Sequence, residues 1–172
     1  LAIRAVLYVL EQLPIDMNKD LMRNGLSEAF IPGRFEKITD TLYFDGAHNP
    51  ASARALVNTV KEKFPNTPVH FYVGMIKGKD AETILRIFEE ISSNFTFIDF
   101  EDVRSMPAFA LSKISESPFT CETKDPLENI RKNLSETHVT IVTGSLYLLA
   151  EMRLKALEMF GDRSNLKDDK TF

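Results

Sequence analysis

The chain contains one cysteine, no tryptophan and no apolar run approaching 18 residues. A single cysteine, Cys121, cannot close an internal disulfide, and a reducing cytoplasm fits that usage. Nothing basic adjoins Cys121 to make it a thiolate, so it reads as a small buried residue. The missing apolar run excludes a transmembrane helix, and no signal-peptide pattern is present. Positive charge is not in excess: the formal net charge is −4, which argues against nucleic acid or an acidic membrane surface as the partner. Cys/His ligand spacing is absent, so no metal site is read from the chain. A Ser–His–Asp triad could be drawn from Ser145, His48 and Asp45, but no Gly-x-Ser-x-Gly elbow accompanies it. The Walker A pattern, Gly-x-x-x-x-Gly-Lys followed by Ser or Thr, is missing as well. Internal repeats and low-complexity segments are also absent.

What remains is a globular composition: 172 residues, 44% hydrophobic, with thirteen Phe. That length suits one sizeable domain, or a domain plus a fragment, burying roughly 70% of its unfolded surface. The chain opens on Leu1 inside an apolar pattern of Leu1, Val6, Leu10 and Leu13, with no capping residue ahead of it. The expectation is a start inside a helix of a larger protein. Residues 2–12 and 19–29 read as helices, and the polar stretch from Gly161 to Phe172 as a frayed true C-terminus. Ile31-Pro32-Gly33-Arg34 is a breaker segment and the expected domain boundary. Beyond it, strands are expected at 41–45, 69–73, 95–99, 118–121 and 138–142, alternating with helices at 51–64, 80–92, 107–115, 125–135 and 145–160. Phe35 to Ile38 is read as an added antiparallel strand. Such alternation predicts βαβ units and an α/β, Rossmann-like, doubly wound, mainly parallel sheet with helices on both faces. Right-handed crossovers then bring every carboxyl strand end to one edge, where such sheets bind ligands.

Three expected strand ends carry polar chemistry. The first is Asp45-Gly46-Ala47-His48-Asn49-Pro50, in which Asn49 is a good N-cap and Pro50 a good first helical residue. Asp45 suits ribose hydroxyls, an ammonium group or a metal; His48 can donate to a carboxylate or carry a proton near neutral pH. The plainer alternative is that both merely satisfy a turn. The second is Gly74-Met75-Ile76-Lys77-Gly78-Lys79-Asp80, a false phosphate loop: three residues, not four, separate its glycines, and Asp80 stands where a hydroxyl residue belongs. Asp80 is better read as a helix cap, while Lys77 and Lys79 leave positive charge nearby. The third is Thr143-Gly144-Ser145-Leu146-Tyr147, with Ser145 opening the last helix as a cap or an anion contact. Arg34, between two domains, is suited to reach phosphoryl oxygens bound on the other one; Arg104 has a similar, weaker case.

Taken together, Ile31-Pro32-Gly33-Arg34-Phe35-Glu36 and the three loops, in this order and approximate spacing, resemble the folylpolyglutamate synthase family within the Mur-ligase superfamily of ATP-dependent amide-bond-forming enzymes. Two positions depart from the family pattern: Ile31 stands where Trp is common, and Gly78 where Asp is common. The resemblance implies that residues 1–33 are the last helices of a central ATPase domain plus linker, 34–162 a Mur-ligase-type C-terminal domain, and 163–172 a polar tail. It implies ATP and Mg2+, the metal ligands and Walker A loop lying in an N-terminal part, so that this chain alone should not hydrolyse ATP. Folate and L-glutamate are the implied substrates, with a cytoplasmic monomer expected and no nucleic-acid or membrane partner. By resemblance, Arg34 contacts the ATP phosphates and Asp45 the ribose, while His48 and Ser145 help hold the glutamate or the acyl phosphate; Arg34, His48 and Ser145 are the candidate catalytic residues. Two other readings compete: another Mur-type amino-acid ligase, or a non-catalytic α/β binding module resembling a response-regulator receiver.

Overall fold

A computed structural model describes residues 31–161 of the chain. The expected helices at 2–12 and 19–29 and the polar tail lie outside the described residues. By its contacts the chain divides into two units, Leu1–Ile31 and Pro32–Phe172, and the sheet belongs to the second.

The described residues form six strands and five helices: β1 (Glu36–Lys37), β2 (Leu42–Asp45), α1 (Pro50–Lys63), β3 (Val69–Val73), α2 (Ala81–Glu89), β4 (Asn94–Ile98), α3 (Ala108–Ile114), β5 (Phe119–Thr123), α4 (Pro126–Asn133), β6 (Val139–Thr143) and α5 (Leu146–Phe160). They form one sheet in the order β1-β2-β6-β3-β4-β5. All neighbours are parallel except β1, which runs antiparallel to β2 with Glu36 opposite Phe44. Helices α1 to α3 cover one face and α4 and α5 the other, each over its own apolar cluster. The central strand β3, Val-His-Phe-Tyr-Val, is buried throughout, as a strand covered on both sides must be. Phe71 stacks on Phe88 and Phe95 at centroid distances of 4.7 and 5.6 Å; burying each such ring contributes roughly 1.5–3 kcal/mol.

The opposite face of β3 carries His70, itself buried. Its Nε2 lies 2.8 Å from Thr96 Oγ1, which lies 3.1 Å from Cys121 Sγ, a polar row across β3, β4 and β5. Cys121 ends that row exposed, not buried as its residue type suggested. The reason is position: β5 is the edge strand, and most of its residues are open to solvent.

Burial, helped by the neighbouring His138, pushes the His70 imidazole down to about 4 from 6.5. Between those values the unfolded chain binds a proton that the folded chain refuses, so stability is full above pH 6.5 and falls as the pH drops toward 4. The loss reaches on the order of 3 kcal/mol below about pH 4. Urea midpoints at about pH 7.5 and 4.5, on either side of most of that window, should show this fall in the parent and a clearly smaller one in His70→Gln, which keeps a partner for Thr96; equal falls would refute the assignment.

Among the described residues no helix is long and apolar enough to cross a membrane.

Candidate functional site

Register brings the polar loops together. Thr143 at the end of β6 is level with Asp45 on β2 and with Val73 on β3. The chain leaves β2 and β3 toward the face covered by α1 and α2, and leaves β6 toward the face covered by α5. Crevices at the carboxyl ends therefore flank β6, the place where the winding direction changes. The loops after β3 and β6 touch backbone to backbone: Gly74 N–H donates to Thr143 O at 3.2 Å.

The first loop is fixed by its own sequence. Asn49 caps α1, accepting from Ser52 N–H at 2.9 Å, while Ser52 Oγ accepts from the Asn49 and His48 amides at 3.2 and 3.0 Å. Pro50 follows at the first helical position, where its missing N–H costs nothing. His48 Nδ1 lies 2.7 Å from the Gly46 carbonyl. A carbonyl only accepts, so Nδ1 carries the proton and Nε2 of the neutral ring keeps a lone pair.

A cleft of about 380 Å³ opens beside this loop, lined by His48, Ile76, Lys79, Arg104, Ser145, Leu146 and Tyr147. Its cations are Lys79 and Arg104, and no carboxylate lines it. Ser145, almost wholly buried, caps α5 by accepting from Tyr147 N–H at 3.2 Å. Asp80 likewise caps α2 and does not face the cleft. Arg104 is held firmly for a half-exposed side chain. Its Nε and Nη2 donate to Asp102 Oδ1 and Oδ2 at 2.9 and 2.8 Å, and its guanidinium lies 4.1 Å from the Tyr147 ring centroid. Asp102 is held down at about 2 by that contact. The Arg104 loop is clipped to the β3 loop, since Lys77 N–H donates to Arg104 O and Met106 N–H to Met75 O.

Arg34 and Asp45 do not line this cleft; they form an adjoining half of the site. Asp45 Oδ2 accepts from Phe35 N–H at 2.8 Å and Oδ1 from Ala47 N–H at 2.9 Å. Burial pushes its carboxyl above the usual range, against the opposing pull of those amides and of Arg34 and His48. Each oxygen keeps a lone pair for a further donor, so turn-holding and ligand-binding are compatible. Arg34 is exposed and makes no ion pair within 4.0 Å among the described residues. The two halves meet at Gly46, whose N–H donates to Gly33 O at 2.7 Å and whose carbonyl takes His48.

Sequence reasoning passes over Glu36 and Arg153. Glu36, 3% exposed, accepts from Gly33 N–H at 2.8 Å and from Arg153 Nε at 2.9 Å on both oxygens. Glu36 stands within the Ile31–Glu36 motif, but its partner lies 117 residues away, and no local signal joins them. Among the described residues, no group of three or more His, Cys, Asp or Glu side chains is placed to hold a metal ion.

Known proteins share this domain. Residues 34–156 match the family model described as dihydrofolate synthetase, C-terminal domain. The dihydrofolate synthase/folylpolyglutamate synthase of Bacillus subtilis is 27% identical over 142 residues, covering 80% of this chain and 33% of that protein. A probable dihydrofolate synthetase of Schizosaccharomyces pombe is 31% identical over 149 residues, covering 76% of this chain and 36% of its own length. Among solved structures, the Yersinia pestis bifunctional folylpolyglutamate synthase/dihydrofolate synthase complexed with AMPPNP and Mn ion superposes with a TM-score of 0.77 at 28% identity, over 87% of this chain and 37% of that one. The folylpolyglutamate synthase of Thermotoga maritima does so with a TM-score of 0.70 at 30% identity, over 86% and 36%. The chain thus spans about a third of the length of these relatives.

Proposed function

The chain belongs to the family of dihydrofolate synthetase C-terminal domains, and on that premise we propose that it is the C-terminal part of an ATP-dependent ligase joining L-glutamate to a folate acceptor through an acyl phosphate. The remainder would be an N-terminal ATPase domain carrying the Walker A loop. The observation that carries the reading is the pairing of a cationic cleft, His48 and Ser145 within it, with the separately held Arg34–Asp45 corner at the same sheet edge.

Each part has a task in that reaction. The acceptor carboxylate takes a phosphoryl group, and the glutamate amine then attacks the carbonyl carbon. The new C–N bond forms, the C–O bond to phosphate breaks, and the amine loses a proton. His48 Nε2, with its lone pair, is suited to take that proton or to hold the amine. Lys79 and Arg104 supply positive charge for glutamate carboxylates. Ser145 and the opening amides of α5 offer donors to the tetrahedral intermediate. Asp45 accepts from ribose hydroxyls, and Arg34 neutralises phosphate oxygens on the facing domain. Splitting the site between two domains lets closure exclude water from an acyl phosphate that would otherwise hydrolyse.

The Mn ion in the Yersinia pestis relative bears on its whole chain. In the proposed ligase the ligands of a divalent ion would lie in the N-terminal part.

The test is incorporation of radiolabelled glutamate by the ligase that carries this chain, with tetrahydrofolate and dihydropteroate as alternative acceptors. Incorporation that requires ATP and either acceptor is the expected result. ATP-dependent transfer to neither acceptor, in a folded preparation, would overturn the reading.

A further inference from the structure

We propose that Glu36 is a positioning residue, which sets the turn presenting Arg34 and so governs turnover without touching substrate. The inference rests on the proposed role of Arg34 at the ATP phosphates.

The turn is an unusual conformation held from three sides. Arg34 lies between two residues in the left-handed region, Gly33 at φ +68° and Phe35 at φ +46°. For Phe that conformation costs about 1–2 kcal/mol, so surrounding contacts must impose it. Glu36 Oε2 takes the Gly33 amide, Gly46 donates to the Gly33 carbonyl, and Asp45 Oδ2 takes the Phe35 amide. The Phe35 ring stacks on Tyr43 at 4.9 Å. The backbone on either side of Arg34 is thereby fixed while its side chain stays exposed.

Stability alone gives a poor account of Glu36. A carboxylate 3% exposed on a two-residue strand carries a desolvation cost that its ion pair with Arg153 roughly offsets at best. Apolar residues at both positions of the pair would avoid this cost. What the carboxylate adds is geometry: it fastens the start of the turn to α5, the helix that Ser145 caps. The Arg34 corner and the Ser145 cleft are therefore referred to one rigid element.

A double-mutant cycle in the ligase distinguishes positioning from general support. Glu36→Gln keeps an acceptor for Gly33 but loses the charge that holds Arg153. Measured well below the unfolding transition, it is expected to lower kcat about 10- to 100-fold, the range for a misplacement near 1 Å. In an Arg34→Ala background the same change should alter kcat less than about twofold, because the group it positions is gone. A urea midpoint confirms that each variant is folded. Glu36→Asp, which keeps the charge but withdraws the carboxylate, provides a second route to the same cycle if the Gln variant does not fold. An equal loss in both backgrounds, or no loss in either, overturns the proposal. If Arg34→Ala by itself leaves turnover unchanged, the role of Arg34 fails and this inference falls with it.

Discussion

Replacing Arg34 by Ala in the ligase is expected to lower turnover about 100-fold or more, the usual cost of one electrostatic contact made in the transition state, and to leave the urea midpoint unchanged. The loss of turnover follows from the proposed contact of Arg34 with the ATP phosphates, and the unchanged midpoint from the structure. The side chain is exposed, and among the described residues it makes no ion pair within 4.0 Å, so truncation removes no packing from this domain. The backbone carrying it is held through Gly33 and Phe35 rather than through the guanidinium, so the turn survives the substitution. Arg34→Lys should recover only part of the loss, since an ammonium cannot present the planar fork that meets two phosphate oxygens. Steady-state kinetics at saturating ATP, folate and glutamate read the effect directly. An unchanged kcat would remove Arg34 from the reaction and leave its exposed, pre-set turn without a purpose.

How much of the fold and site is legible in the sequence depends on the reach of each interaction. The Asn49-Pro50-Ala51-Ser52 start of α1 is written within four residues: Asn49 caps it and Pro50 opens it as expected, and Ser52 completes a capping box. The expected elements beyond residue 31 all form, with ends displaced by up to three residues, and the added antiparallel strand is Glu36–Lys37 within the anticipated 35–38. From sequence Asp45 reads either as a ligand contact or as satisfying a turn; the structure gives it two backbone amides. The one from Ala47 is a local turn contact of a kind Asp often makes, whereas the one from Phe35 spans a strand pair. The expectation for Cys121 fails because residue type says nothing about which strand ends at the sheet edge. That edge is set by β6 entering between β2 and β3, a pairing of segments roughly 70 to 100 residues apart that no local pattern encodes. Arg104 has a stronger case than its position alone suggests, since Asp102-Val103-Arg104 places acid and base two residues apart and the pair forms. The bond between Glu36 and Arg153 has no such signal.

The largest stability loss from a single added methyl group is expected at Gly144. Its φ is +105°, and a Cβ there would lie 2.6 Å from the Gly74 carbonyl oxygen and 3.1 Å from Val73 Cγ1. The obstacle is backbone, not the end of a flexible side chain. Gly74 cannot withdraw readily, because its N–H is bonded to Thr143 O and it directly follows the central strand β3. Gly144→Ala must therefore spread the β3 and β6 loops or unseat the start of α5, and either motion disturbs Ser145 and the cleft. Gly78 supplies the control. Its φ is +80°, also left-handed, but nothing lies within 4 Å of the position a Cβ would take. Gly78→Ala then costs only the backbone term, about 1–2 kcal/mol, while Gly144→Ala adds a clash and should cost about 3 kcal/mol or more. Urea denaturation of the two variants beside the parent measures the difference. A larger loss at Gly144, together with impaired glutamate transfer at temperatures where the variant remains folded, would mean that close backbone approach keeps the two crevices in register. Equal losses would mean that left-handed strain is the whole effect, and that the contact between the β3 and β6 loops yields without cost.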